Sequence, residues 1–164
     1  MSIILIGMPS SGKSTLGVLL AKRLGYRFVD SDLLIQEKTG KLLHEIISEE
    51  GNEGFIRIEN EINRQITDEN AVIATGGSAV YGEEAMAHLK TLGKVVYLKI
   101  DYEEMCRRLG DFSHRGVVMR QGNTLEEMYA ERVPLYEKYA DLTVDVCNSQ
   151  HAESLDKIYD SFKL

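Results

Sequence analysis

The chain has little of what small secreted or membrane proteins depend on. Its 164 residues include two cysteines, Cys106 and Cys147, two prolines and no tryptophan. Two cysteines cannot make a disulfide scaffold. Their scarcity fits a reducing compartment, so a cytoplasmic location is expected. No apolar run approaches the roughly 18 residues of a membrane span. The opening stretch Met1-Ser2-Ile3-Ile4-Leu5-Ile6 has no basic residue and runs into Gly7 and Pro9. It is expected to be a strand rather than a signal peptide. Basic residues are also few, 19 against 26 acidic, for a formal net charge of −7. That balance argues against nucleic acid or an anionic membrane as partner.

What is present is a globular composition, 43% hydrophobic and 27% charged. The length suits one domain, 1–164, able to bury roughly 70% of its unfolded surface without staples. Short β-branched runs at 3–6, 27–29, 71–74, 95–100 and 142–146 alternate with helical patterns. The helical patterns lie near 13–24, 31–39, 42–50, 54–68, 83–91, 101–110, 124–139 and 151–163. The runs are continuous in hydrophobicity, so burial on both faces of a parallel sheet is expected. The fold class is therefore α/β, with helices on both faces and ligands beyond the carboxyl ends of the strands.

Gly7-Met8-Pro9-Ser10-Ser11-Gly12-Lys13-Ser14 matches the phosphate-binding pattern G-x-x-x-x-G-K-[ST]. It follows an expected strand and opens an expected helix, the context the motif requires. Its glycines let backbone N–H groups converge on phosphate oxygens, and the helix dipole adds to them. Lys13 would meet the β- and γ-phosphates of ATP, and Ser14 would reach Mg²⁺. Gly7, Ser10, Ser11, Gly12 and Thr15 complete the expected ATP cradle. A guanine-reading Asn-Lys-x-Asp is absent, and the inner run 71–74 leads into Thr75-Gly76-Gly77 rather than an aspartate. A small phosphotransferase is expected, not a GTPase or motor.

Phe28-Val29-Asp30-Ser31-Asp32 places two carboxylates two residues apart, on one side of extended backbone. One suits the Mg²⁺ shell. The other suits a substrate hydroxyl whose proton must be removed. Asp30 or Ser31 could instead simply cap the helix at 31–39.

With these motifs stand Gly51-x-x-x-Phe55-x-x-x-Glu59, Thr75-Gly76-Gly77-Ser78-Ala79-Val80, Arg132-x-Pro134-Leu135-Tyr136 and Tyr139-Ala140-Asp141. In this order they make the chain resemble the shikimate kinase family over nearly its whole length. The resemblance implies a three-layer P-loop fold with a five-stranded parallel sheet and a mobile lid near 110–124. It implies Asp30 in the Mg²⁺ shell and Asp32 as the base that holds substrate hydroxyls. It also implies Gly76 and Gly77 as backbone contacts, Arg132 on the substrate carboxylate, Arg115 as the lid arginine and Arg108 near the adenine. Lys13, Asp32 and Arg115 are then the catalytic set.

Two positions depart from the family pattern. Ser78 stands where the family has a third glycine. Ile56 follows Phe55 where the family has an arginine that helps clamp the substrate carboxylate. Helical periodicity puts Phe55, Ile58, Ile62 and Ile66 on a core stripe. Arg57, Glu61, Arg64 and Asp68 fall on a charged strip, and Ile56, Glu59, Asn60 and Asn63 on a third. The resemblance implies Glu59 at the substrate site, so Ile56 on the same strip, not Arg57, is expected to face the substrate, unless a one-residue slip restores Arg57.

From Met105 to Leu125 there are four arginines, Arg107, Arg108, Arg115 and Arg120, against Asp111 alone. Gly110, Gly116 and Gly122 punctuate the segment. A basic, hinged loop in an acidic protein suggests closure over phosphates. The histidines His44, His88 and His151 show no metal spacing. Tyr129, Tyr136 and Tyr139 are expected to pack with their hydroxyls wet. The leading expectation is a monomeric, Mg²⁺- and ATP-dependent kinase of a small hydroxy acid, shikimate first. A kinase retuned to another polyol or sugar acid and a non-catalytic nucleotide switch are the alternatives.

Overall fold

The computed structural model describes residues 1–110, 117–120 and 122–162. Five strands form one sheet: β1 (Ser2–Ile6), β2 (Arg27–Asp30), β3 (Ala71–Ala74), β4 (Gly93–Lys99) and β5 (Leu142–Asp145). Their order is β2-β3-β1-β4-β5, and every neighbouring pair is parallel. β1 and β3 are buried along their whole length, which explains their unbroken apolar sequences. The α/β class and the five-stranded parallel sheet are as expected.

The helices are α1 (Lys13–Leu24), α2 (Ser31–Thr39), α3 (Leu43–Arg64), α4 (Glu83–Leu92), α5 (Tyr102–Leu109), α6 (Leu125–Tyr139) and α7 (His151–Ser161). A 3-10 turn spans Ala79–Tyr81. The chain steps one way along the sheet from β1 to β2 and the other way from β3 to β4. Right-handed crossovers therefore send α1 and α4 to opposite faces. The packing agrees: α1 meets α7, whereas α4 meets α3, β1 and β4. The chain thus diverges between the carboxyl ends of β1 and β3, and a crevice opens there.

The helical patterns at 42–50 and 54–68 form a single element, α3, bent at Gly51 and ending at Arg64. Gly51 has φ 72° and ψ 175°, a region essentially closed to residues with a Cβ. Beyond the bend the buried face is Gly54, Phe55, Glu59, Ile62 and Asn63. This corrects the expected stripe at one position: Phe55, Ile62 and Ile66 are buried as expected, Ile58 is only half-buried, and Glu59 and Asn63 are buried beside them. Contacts outside the helix hold this face: Asn60 Oδ1 accepts the N–H of Ala85 at 3.0 Å, and α3 packs against α2, α4 and the 3-10 turn. Ile56 packs against a small cluster made by Ile35, Ile46, Phe55, Ile62 and Val118. No helix among the described residues is long and apolar enough to cross a membrane.

Candidate active site

Residues 7–14 bridge β1 and α1. Gly12 adopts φ 91° as the N-cap of α1 and offers no capping side chain, so the first N–H groups of α1 are left to a ligand. Lys13 folds back over the loop. Its ammonium donates to the carbonyls of Gly7 at 2.8 Å and Met8 at 2.7 Å. Burial lowers its pKa to about 8, against the opposing pull of Asp32, while Arg132 lowers it further.

Asp30, the last residue of β2, performs two tasks with its two oxygens. Oδ1 caps α2 by accepting the N–H groups of Asp32 at 3.0 Å and Leu33 at 3.3 Å. Oδ2 accepts the Ser14 hydroxyl at 2.8 Å. Capping and facing the phosphate loop are thus compatible. Among the described residues no group of three or more His, Cys, Asp or Glu side chains gathers as a metal cluster. The donor set on offer, one hydroxyl and one carboxylate, suits a Mg²⁺ that keeps waters and phosphate oxygens as its other ligands.

Asp32 is the second residue of α2, in its first turn. Burial, then the neighbouring Asp30 charge, pushes its pKa up to about 6, and Lys13 opposes the rise. Across from it, residues 75–78 leave β3. The Thr75 N–H and hydroxyl both donate to the Leu5 carbonyl, at 3.1 and 2.9 Å, fixing this loop to β1. The Gly76 N–H donates to Ser31 Oγ at 3.3 Å. A Cβ at Gly76 would lie 2.5 Å from Glu59 Oε1 and 2.8 Å from Asp32 Oδ1. Two carboxylates therefore converge over this glycine. Glu59, 1% exposed, has its pKa raised to about 7 by burial, despite a Ser78 hydrogen bond that lowers it.

Arg132 rises from α6, 1% exposed. It donates to the Val118 carbonyl and, at 3.4 Å, to the Tyr81 hydroxyl. One turn later the Tyr136 hydroxyl donates to the Gly77 carbonyl at 2.6 Å. The expectation of a wet hydroxyl fails at Tyr136, which is fully buried and supports the glycine loop instead.

These pieces enclose a cavity of about 380 Å³. Ser10, Gly12, Lys13, Ser14, Thr15, Asp32, Gly76, Gly77 and Arg132 all line it, as do Pro9, Phe55 and Ser78. Gly7 and Ser11, buried within the phosphate loop, and Glu59, beside Gly76, are not among the cavity's lining residues. A cation at each of two walls, Lys13 and Arg132, faces a carboxylate between them. That arrangement can hold a polyanion at one end and a hydroxylated anion at the other.

The chain matches the family described as shikimate kinase over residues 9–163. The shikimate kinase of Clostridium botulinum strain 657 is 39% identical over 166 residues, covering 99% of this chain and 96% of its own. The chain belongs to the shikimate kinase family. Another relative, from Francisella tularensis subsp. novicida, is 38% identical over 96% of this chain and 92% of its own. Among solved structures, shikimate kinase from Acinetobacter baumannii in complex with shikimate superposes with a TM-score of 0.87. It is 31% identical and covers 99% of this chain and 92% of that one. The Aquifex aeolicus enzyme gives 0.85 at 32% identity, over 99% and 96%.

Within this family frame, one expected substrate-facing residue falls elsewhere and one lies outside the described residues, while Arg57 is exposed as its charged strip required. Ile56 is not among the residues lining the cavity; it ends in the cluster beside Phe55 and Val118. Arg108 pairs with Glu104 at 2.6 Å and donates to the Val146 carbonyl at 2.8 Å. It borders a separate hollow of about 70 Å³ on the other side of the phosphate loop, shared with Ser11, Ser149 and His151. Arg115 lies outside the described residues, as do 111–114, 116 and 121 of the expected lid. Of the lid residues that are described, Val117 and Val118 line the cavity. Leu43, Phe55, Val117 and Val118, its apolar wall, were missed because nothing in their spacing separates a cavity wall from core.

Proposed function

We propose that this shikimate kinase family member transfers the γ-phosphoryl group of ATP to a hydroxyl of shikimate. The observation that carries the reading is the shared cavity: Lys13 on one wall, Asp32 and Gly76 in the middle, Arg132 on the other. The triphosphate lies along residues 7–15, with the base toward the hollow beside Arg108. Ser14 and Asp30 would hold Mg²⁺, which would neutralise phosphate charge. Arg132 pairs with the acceptor carboxylate. Asp32 accepts the hydrogen bond of the attacking hydroxyl and takes its proton as the new P–O bond forms and ADP departs. Lys13 stabilises the charge on the transferring group, and Arg115 is proposed to join it from the lid. Catalysis here is positioning and electrostatics. The same reading makes the protein a cytoplasmic monomer, in keeping with its two free cysteines.

The test is steady-state kinetics with Mg·ATP and shikimate. Asp32→Asn and Lys13→Ala are each expected to lower kcat by about 100-fold or more while the folded state persists. Wild-type turnover of shikimate no faster than of an unrelated polyol would overturn the acceptor assignment. Ser78, which lines the cavity where the family pattern has glycine, favours one second reading, the same chemistry on a differently shaped hydroxy acid.

A further inference from the structure

Tyr81 ends the 3-10 turn that follows the 75–78 loop. It is half-buried and does not line the catalytic cavity. It lines instead a separate hollow of about 440 Å³, with Glu131, Leu135 and Tyr139 of α6. Its partner is Arg132, which does line the catalytic cavity. Arg132 Cζ stands 5.3 Å from the centre of the Tyr81 ring, within cation–π range. Arg132 Nε donates to the Tyr81 hydroxyl at 3.4 Å, a long bond. Nη2 donates to the Val118 carbonyl. Nη1 stands beside Gly77, 3.0 Å from where a Cβ there would lie, and Gly77 lines the cavity.

We propose that Tyr81 is a positioning residue that decides which edge of the Arg132 guanidinium the acceptor carboxylate meets. This rests on the reading of the cavity as a shikimate kinase site. A guanidinium can grip a carboxylate in a fork through its side edge, Nε with Nη2, or its end edge, Nη1 with Nη2. Tyr81 occupies Nε, so the side edge is closed. The end edge, with Nη1 beside Gly77, is left for the acceptor. The Tyr81 hydroxyl does this as a neutral phenol. Burial raises its pKa, the Arg132 hydrogen bond opposes the rise, and Glu131 adds to it. A neutral phenol lends Arg132 a lone pair and no counter-charge, so the guanidinium charge stays available to an anion. The carboxylate takes no part in phosphoryl transfer. Its better seating strengthens ground state and transition state alike, so the effect belongs in KM rather than kcat.

The test compares Tyr81→Phe, which keeps the ring and removes the hydroxyl, with Tyr81→Leu, which removes both. The KM for shikimate should rise about 3-fold in Tyr81→Phe and about 10-fold in Tyr81→Leu. kcat and the KM for ATP should stay near wild type. The neutral methyl ester of shikimate makes no ion pair with Arg132, so its KM should hardly change in either variant. A merely structural role would weaken acid and ester alike. NMR of the full chain without substrate reads the Arg132 Nε–H, recognised by its absence in Arg132→Lys. Its exchange with water should quicken about 10-fold in both variants, because its acceptor is gone. Unchanged exchange, an unmoved KM for shikimate in Tyr81→Leu, or equal rises for acid and ester overturns the proposal. If wild type does not phosphorylate shikimate, the acceptor reading fails instead, and the exchange rate still decides whether Tyr81 holds Arg132.

Discussion

Gly76 is held between Glu59 Oε1 and Asp32 Oδ1, at 2.5 and 2.8 Å from where a Cβ would stand. Both oxygens belong to side chains anchored by helices, so neither moves aside cheaply. Gly76→Ala should therefore displace Asp32 and lower kcat/KM for the acceptor by about 100-fold, as an ångström of misplacement does. The KM for ATP should stay near wild type; equal losses for both substrates would show a general collapse. At this scale the sequence was legible wherever neighbours in the chain make the contact. Lys13, Ser14, Asp30 and Asp32 stand where a local motif puts them. Asp30 posed a choice between cap and ligand that the molecule does not make, because a carboxylate has two oxygens. The Ser78–Glu59 contact was not legible, since it joins residues 19 apart through the rotation of a helix.

That rotation belongs to α3. Its apolar residues permit a face centred on Ile58 or one centred on Glu59, and contacts outside the helix, the Asn60 bond to α4 among them, accompany the second. The expected lid charge illustrates a related limit. Arg107 and Arg108 both pair with Glu104, which lies one residue outside the stretch over which the charges were counted. Arg120 meets Glu131 on α6 at 3.5 Å, so these three arginines are less available to phosphates than their number suggested. Gly51 sets the angle between the halves of α3 and hence the aim of Glu59. Nothing lies within 4 Å of a Cβ built there, so Gly51→Ala isolates the backbone cost, about 1–3 kcal/mol. Denaturant unfolding should show that loss, and a rise in acceptor KM should accompany it. Unchanged stability would mean the bend is not strained by a side chain. Ile56→Arg would set a guanidinium on the flank of α3 beside Phe55 and Val118, both cavity residues. A charge-assisted contact there should lower shikimate KM by about 10-fold; an unchanged KM would show that this flank does not reach the acceptor.

Across the whole molecule, the site is bought at the expense of stability near neutral pH. Glu59 titrates near 7 in the fold against an ordinary 4.5. The fold thus gains from its protonated form, fully so below about 4.5, and loses that contribution as pH rises through about 7. Lys13, lowered to about 8, contributes above its ordinary 10.5 and loses it as pH falls through about 8. Glu59→Gln should therefore raise the melting temperature at pH 8 relative to wild type, with the gain shrinking toward pH 5. A constant difference across that range would contradict the buried ionisation. The β2-β3-β1-β4-β5 sheet brings the phosphate loop, Asp32 and Gly76 to one crevice. The central claim is that the two ends of that crevice hold a phosphoryl donor and a shikimate hydroxyl in line. ³¹P NMR of wild-type protein with Mg·ATP and shikimate tests it most directly. One new phosphomonoester resonance should grow in step with ADP, and Asp32→Asn should suppress both; ADP with inorganic phosphate and no phosphomonoester would contradict it.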